Sequence, residues 1–538
     1  MLKHELNRGE SPKHRRHWRH LKDSFCSSDL GIASFRLMGI LVLCLGGVGS
    51  AADSTPHFKI RVVDEQTGRG VPLVELRTVN QVRYYTDSNG LIAFYEPGLM
   101  GSRIHFSVRS HGYEFPKDGF GYAGVALEVQ SGQSARIAVK RINLAERLYR
   151  ITGQGIYRDS ILLGEPAPLA EPFGSGKVAG QDSAFAVPYR DAIYWFWGDT
   201  AKMSYPLGHF WMAGAVSDPP GKGGLPPARG VNLRYFTDAE GFSRPMARLG
   251  VKRGMIWADT FATVTDEAGR QRLVCHYAHM ESLERMVGHG LAVYCDEREE
   301  FERVLELDLK YRSRFPAQAH PVRIAHENGD YLYFGDVFPT IRVPARLSSF
   351  KDLECYEYFT CLSDASTPND LQVERDSAGR PIYRWRRNTN PLDVSTEYEL
   401  VKAGKITVQE ARFVPRDFDS GKPIQMHRGS VRWNQHRNRW IMIAGELGGS
   451  SLLGEIWYAE ASQPTGPWRR ARKVVTHDQY SFYNPVHHDF FDHGSFIYFE
   501  GTYTATFSGN PEPTPWYEYN QVMYRLDLDD PRLKGVRE

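Results

Sequence analysis

The sequence predicts an all-β protein, a five-bladed β-propeller preceded by a small antiparallel β-sandwich domain. Three observations carry this. Aromatic residues make up 12% of the 538 residues, alongside 50 glycines and 31 prolines, a composition that favours many short strands and turns over helices. Between about residues 56 and 142, short segments alternate apolar and polar residues between turn signals. From about residue 175 onward one pattern recurs in five units. A polar residue leads a strand, a turn follows, an aromatic-rich second strand ends in an acid or glycine, and a third strand closes the unit. Short antiparallel sheets repeated with variable insertions are the sequence mark of a propeller.

Residues 1–36 are polar, with eight Lys/Arg against four Asp/Glu, whereas residues 37–51 are uncharged and the remainder carries −2 of the net +2. The apolar run Leu37–Val48 ends in small residues at Gly49 and Ala51. A basic flank, an apolar stretch and small residues are the order of a secretory leader, so residues 1–51 are expected to be a signal region with a long basic flank, removed after about Ala51. Leu43 stands before Cys44, where a lipoprotein leader needs a small residue. Export is therefore expected, to the periplasm or beyond, with no stable membrane span left afterwards. The balanced charge offers no concentrated basic face for nucleic acid.

Cys26 and Cys44 would leave with the leader. Cys275, Cys295, Cys355 and Cys361 remain, an even number in an oxidising compartment. Cys275 and Cys295 are expected on neighbouring strands, which leaves a bridge and buried free thiols both open. No Cys/His spacing suggests zinc.

Residues 56–142 open with HFKIRVVD and close with ARIAVKRI, with TGRG and DSNG turns between them. The run VVDEQTGRGVPLVELRT, followed by YYTDSNGLIAFYEPG, resembles the transthyretin-like, carboxypeptidase-regulatory-like modules of secreted proteins. That resemblance covers this domain alone and implies an accessory or docking role. Residues 143–174, including NLAERLYRITGQG, are expected to be a linker that begins with a short helical turn.

The five units span 175–535. They are SAFAVPYRD, YWFWGDT and FWMAGAVSD; ADTFATVTD, RLVCHYAHM and GLAVYCDE; AHPVRIAHENGD, YLYFGDV and YEYFTCLS; RGSVRWNQHRN, RWIMIAGEL and GEIWYAEAS; and NPVHHDFFDHG, SFIYFEGTYT and QVMYRLDLD. An insertion at about 363–425 separates the third unit from the fourth. A helix is expected within it near 396–411, and such an insertion is expected to supply a rim or lid.

Acid–base catalysis by paired carboxyl groups requires one that holds a proton and one that does not. An acid in a narrow pocket beside a second carboxylate has its pKa raised and can donate near neutral pH. Asp182 and Asp259 open the first two inner strands and are expected to face the central channel, and Asp199 ends the strand beside Asp182. Glu446 and Glu500 end second strands among glycines. Asp182 is the expected base or nucleophile, Asp259 or Glu446 the acid, and Asp199 the group that tunes the pair. Asp336, in a second Gly-Asp ending, reads as a blade turn.

His320, His427 and Arg428, with Tyr483, Asn484 and Glu500, are the expected substrate-binding groups near the strand ends. Trp197 and Trp257 are candidate sugar-stacking platforms, since apolar sugar faces pack on aromatic rings. His487 and His488 read as histidines satisfied by backbone carbonyls.

The Asp182 opening and the Gly198-Asp199-Thr200 triplet make the propeller region resemble the five-bladed glycoside hydrolases of families 43, 32, 117 and, most of all in the first unit, 183. The resemblance implies a carbohydrate substrate and carboxylate catalysis. Families 43 and 32 place an acid on the third inner strand and a Glu on the fourth, where this chain has His320 and His427-Arg428. Their three-carboxylate set is therefore not carried over whole, and a histidine donor of the kind associated with family 117 is one way to replace it. Relatives in family 43 often hold a central calcium, which makes calcium the cation the resemblance implies. From the residues alone, a glycosidase, a non-catalytic carbohydrate- or protein-binding propeller, and a lyase or phosphorylase all stay open.

Overall fold

The computed structural model describes residues 57–367 and 369–536. The leader segment, with Cys26 and Cys44, lies outside the described residues. The protein is all-β: strands dominate, and the α-helices Arg158–Leu162, Leu347–Lys351 and Val394–Lys402 are short. No helix among the described residues is long and apolar enough to cross a membrane.

Residues 58–141 build two four-stranded sheets. One orders Leu91–Phe94, Phe58–Asp64, Ser134–Arg141 and Tyr113–Glu114, and the other Arg83–Tyr85, Glu75–Thr78, Ser102–Arg109 and Gly124–Val129. Alternation sends Ile60, Val62, Ile137 and Val139 of the first into one core with Leu76, Phe106, Val108 and Val129 of the second. The pairing is not antiparallel throughout, as the sequence suggested. Phe58–Asp64 and Ser134–Arg141 run parallel: the chain passes back and forth between the two sheets before Ser134–Arg141 is laid beside Phe58–Asp64, and so long a crossover lets neighbouring strands point the same way.

Five further sheets of four or five strands follow, along with a three-stranded one of Val178–Gln181, Thr200–Lys202 and Tyr205–His209. The first starts with Phe185–Tyr189, Ala192–Trp197 and Ala213–Ser217, and the second comprises Met255–Thr265, Gln271–Ser282, Arg285–Cys295 and Glu300–Leu307. Val322–Ile324, Tyr331–Phe334, Ile341–Pro344, Glu357–Thr360 and Arg384–Arg386 form the third. The fourth starts with Met426–Asn434, Arg439–Glu446 and Ile456–Ala461, and the fifth with Ser481–His487, Phe496–Thr504 and Asn520–Asp527.

The apolar cores between these sheets run in a closed cycle. Phe185 and Phe196 of the first pack with Phe261 and Leu273 of the second, and Val264 and Val274 of the second with Leu332 and Phe334 of the third. Phe359 joins Val431 and Trp440 between third and fourth, and Ile441 and Tyr458 join Phe482 and Ile497 between fourth and fifth. Val486 and Tyr498 of the fifth then pack with Trp195 and Ala213 of the first. Each sheet therefore buries both faces against neighbours.

The outer strand of the fifth sheet is Glu146–Arg150, from a part of the chain that precedes the first sheet, paired through Val522↔Arg150 and Met523↔Tyr149. The expected helical turn and linker are corrected here. ERLYR shows no apolar alternation because it is covered on both faces, with all five residues buried. Leu148 and Tyr149 enter the core between the fifth and first sheets. The buried Arg147 side chain reaches the N-terminal sheets instead, donating to the carbonyls of Pro72 at 3.0 Å and His111 at 3.1 Å.

Three other expectations change. EYFT is the fourth strand of the third sheet; the third is Ile341–Pro344, short, preceded by Pro339 and ending in Pro344, which hides it from a propensity reading. The insertion is built into the core rather than laid over it. Its Leu392, Leu400, Phe413 and Ile424 pack with Phe359, Met426 and Trp440. Its helix covers Val394–Lys402, with Asp393 capping Thr396 N–H at 2.6 Å, and stops before Gly404, whose φ is 68°. Cys275, Cys295, Cys355 and Cys361 are free thiols. Cys275 sits opposite Ala292, three positions from Cys295 along the facing strand, so the two side chains do not meet.

Leu148 tests the closure. Leu148→Ala removes a fully buried side chain from the last contact of the cycle, and urea unfolding is expected to show a loss of about 2–5 kcal/mol. The same change at Leu162, 51% exposed, is expected to stay within about 0.5 kcal/mol.

Candidate active site

A repeated backbone kink positions the site. Ser183 (φ 56°), Thr260 (55°), Arg428 (44°) and Asn484 (50°) occupy the left-handed region at the first strands of the first, second, fourth and fifth sheets. Gln318 (62°) does so just upstream of the third. A β-branched threonine with positive φ is a genuine outlier, and such strain gathers at functional sites. Register breaks accompany the kinks between Asp259 and Ala262, His427 and Gly429, and Tyr483 and Val486. The residue before each kink is Asp182, Asp259, His427 or Tyr483. The sequence singled out all four.

Contacts between sheets bring several of these together. Asn484 Nδ2 donates to Ser183 Oγ at 2.8 Å, and Tyr483 O–H to Asp182 Oδ2 at 2.8 Å. Asp182 Oδ1 accepts the Asp199 backbone N–H at 2.8 Å, and the Trp257 indole N–H donates to Asp199 Oδ1 at 3.1 Å. Gly198 is required here, since a Cβ at that position would lie 2.4 Å from Asp182 Oδ1. Asp182, Asp199, Trp257 and Tyr519 all keep partial solvent contact. Burial nevertheless raises both carboxyl pKa values.

The two aspartates titrate as a unit. Burial raises Asp182, opposed by hydrogen bonds from Tyr483 and Tyr519, whereas burial and the Asp182 charge together hold Asp199 well above the usual range. Several donors favour the anion at Asp182 and only Trp257 does so at Asp199, so the proton of the pair belongs on Asp199.

A second group lies on the third and fourth sheets. Asp336 is buried and its pKa is pushed up to about 6, by burial first and then by Asp393, with Arg428 acting the other way. Arg428 Nη1 stands 3.9 Å from Asp336 Oδ2. His427 is half-buried, and burial followed by the Arg428 charge depresses it to about 3, so it is a neutral imidazole. The sequence read Asp336 as a turn. Its Gly-Asp ending, shared with Gly198-Asp199, was the available signal. Asp393 and Tyr519 were not singled out and carried no such signal.

Asp259 is buried and accepts at Oδ1 from the Thr260 hydroxyl at 2.9 Å, with His276 Nδ1 at 3.1 Å. Glu446 is raised by burial and accepts the Trp457 indole N–H at 2.9 Å; its other influences, Lys473, Glu455 and Asp417, belong to its own sheet or that sheet's edge. It is not joined to the aspartate pair by any of these contacts.

Two expected substrate contacts are core groups. Trp197 is fully buried and stacked between Trp195, 6.3 Å away, and Tyr235 at 5.4 Å, which removes it as a sugar platform. Glu500 is also fully buried, 2.6 Å from His488 Nε2, between the fifth and first sheets. Packing neighbours, invisible in sequence, decide both cases. His487 Nε2 stands 2.8 Å from Asp492 Oδ1 while its Nδ1 is buried without a partner among the described residues, so the partners of His487 and His488 are carboxylates rather than the expected carbonyls.

His320 is buried, with its ring 5.1 Å from Phe185 and its carbonyl accepting from Arg432 at 3.1 Å. Burial and Arg432 hold its pKa well below the usual range. A guanidinium and a neutral imidazole at the meeting of three first strands do not fit calcium, which takes about six to eight oxygen ligands. Among the described residues no group of three or more His, Cys, Asp or Glu is placed to hold a metal ion.

No family model matches the chain, and no curated protein does. Solved structures similar to it are glycoside hydrolases. The exo-β-1,3-galactanase of Phanerochaete chrysosporium with β-1,3-galactotriose aligns at 10% identity and a TM-score of 0.30, over 65% of this chain and 63% of its own length. The chain thus spans less than two thirds of that enzyme. The GH43_1 enzyme of Xanthomonas citri complexed with xylose aligns at 12% identity and a TM-score of 0.32, covering 65% of this chain and 89% of that one. An exo-1,5-α-L-arabinanase from a bovine ruminal metagenomic library aligns at 9% and 0.30, covering 65% and 93%.

Asp336 links the site to stability. Its folded pKa of about 6 exceeds its ordinary 3.8, so the native state holds the proton more tightly than the unfolded chain. That contribution is complete below about pH 4 and is lost as pH rises through 6, amounting to about 3 kcal/mol. Asp336→Asn is expected to raise the unfolding free energy at pH 8 and leave it unchanged at pH 4, read by urea titration at both pH values.

Proposed function

We propose that the chain is an exported glycoside hydrolase that cleaves a poly- or oligosaccharide in a recess at the centre of a five-bladed propeller. The five sheets are its blades and residues 175–535 its extent, closed by the strand 146–150. Residues 57–142 form a sandwich-like accessory domain. The apolar segment ending in small residues before Ala51 supports export.

The observation that carries the reading is the Asp182–Asp199 pair, two carboxyl groups linked through the Asp199 N–H, both raised by burial and both still partly reached by solvent. Asp182, held as an anion by Tyr483 and Tyr519, is the base or nucleophile, and Asp199 tunes it. Asp336 replaces Glu446 as the proton donor: it lies two sheets away from Asp182 in chain order, and a pKa of about 6 suits an acid working near neutrality. Arg428 and His427 beside it, with Trp257 and Asn484 on the aspartate side, are the groups that would meet the sugar. Asp259, the other acid candidate of the sequence, takes a binding role in this reading instead.

Screening the chain from residue 52 against plant, algal and bacterial glycans tests this. On a glycan that is cleaved, Asp182→Asn and Asp336→Asn are each expected to lower kcat by about 100-fold or more. Because Asp336 must be protonated to donate, kcat/KM is expected to fall as pH rises through about 6. Unchanged turnover in Asp182→Asn would remove it from the reaction. Glycan binding without cleavage would leave the non-catalytic propeller as the better account.

A further inference from the structure

Behind Asp259 the second sheet carries a line of buried polar groups. Asp259 Oδ1 is 3.1 Å from His276 Nδ1, His276 Nε2 is 3.1 Å from His289 Nδ1, and His289 Nε2 is 2.9 Å from the carbonyl oxygen of Asp308. Both rings are buried, and Phe315 stacks on His276 at 4.7 Å and meets the edge of His289 at 6.1 Å. The rings sit on adjacent strands at near-facing positions, since His276 pairs with Leu291 and Ala278 with His289.

The far end of the line dictates its protons. A carbonyl can only accept, so His289 Nε2 carries hydrogen. Burial holds His289 below the usual histidine range, so it is neutral, and its Nδ1 is a bare acceptor for His276 Nε2–H. One position remains, between His276 Nδ1 and Asp259 Oδ1. Two lone pairs cannot face each other at that distance, so a proton lies between them. The Asp259–His276 pair is neutral as a whole, whichever atom the proton is nearer.

We propose that His276, whose Nε2–H is held by His289, is a positioning residue that makes Asp259 a charge-compensated acceptor for a substrate hydroxyl. Both hydrogen bonds to the carboxyl group, from Thr260 and His276, go to Oδ1. Oδ2 accepts none from the described residues and is not among their sealed, unpartnered atoms, so it is the oxygen left to the recess. Compensation by His276 also keeps a further full negative charge away from the coupled Asp182–Asp199 pair, which Trp257, two residues before Asp259, ties to the same strand. No proton leaves the line, because its outer end is closed by a carbonyl.

This inference rests on the glycosidase reading for its function, although not for its chemistry. Solid-state NMR of the full chain labelled with ¹⁵N-histidine, assigned through His289→Gln, reads the protons directly. His289 is expected with a bare Nδ1, and His276 with hydrogen on Nε2 and a shared proton on Nδ1. A bare His276 Nδ1, or hydrogen on His289 Nδ1, would overturn the proposal whatever the enzyme does.

On a cleaved glycan, His289→Leu is expected to raise KM by roughly 10-fold or more, the scale of one hydrogen bond lost from a charged pair. His289→Gln, whose amide oxygen can still accept from His276, should recover most of that loss. Equal damage from both variants would reduce His289 to packing and overturn the positioning role. The expected NMR pattern in a chain that cleaves nothing would leave the proton line standing and sink the glycosidase reading alone.

Discussion

The structure depends on one short strand. Glu146–Arg150 supplies the outer edge of the fifth sheet, although it precedes the first sheet in the chain. Without it that sheet would present unpaired backbone, and the core between the fifth and first sheets would lose Leu148 and Tyr149. The same strand anchors the N-terminal sheets, because Arg147 spends its donors on carbonyls of residues 72, 73 and 111. A buried guanidinium with no acidic partner among those contacts is tolerated because the carbonyls take its hydrogens. Five residues thus hold two parts of the molecule in one arrangement.

Closure has a chemical consequence. A residue of positive φ stands in or just upstream of each first strand, and two of these kinks touch across sheets, Asn484 and Ser183. Carboxyl groups far apart in sequence are thereby placed where water reaches them only partly. Burial then raises the pKa values of Asp182, Asp199 and Asp336, and hydrogen bonds decide which member of each group holds a proton. Strain in the backbone and perturbed carboxyl groups coincide, a pattern frequent at functional sites.

Part of this was legible beforehand. Strand pairs within a unit are local, so the first and second strands of all five sheets could be read from alternation and turns. Asp182, Asp259, His427 and Tyr483 stood out because each precedes a strand start of the same pattern. Other features were not local. Trp197 and Glu500 look as available for substrate as Trp257 does, until the fifth sheet packs on the first and buries them. Asp336 looked like a spare turn until the insertion brought Asp393 beside it. His276 and His289 sit mid-strand among apolar residues, where nothing in the sequence marks them.

Composition, alternation and turn residues by themselves determined an all-β chain, its repeated units and the strand starts where acids gather, since these follow from local backbone geometry. Tertiary structure alone decided that residues 146–150 are a strand, which aromatic rings are core, and how protons are shared among Asp182, Asp199, Asp259 and His276. Those outcomes depend on desolvation and on partners 17 to more than 300 positions away in sequence, and no local pattern encodes the distance between such groups.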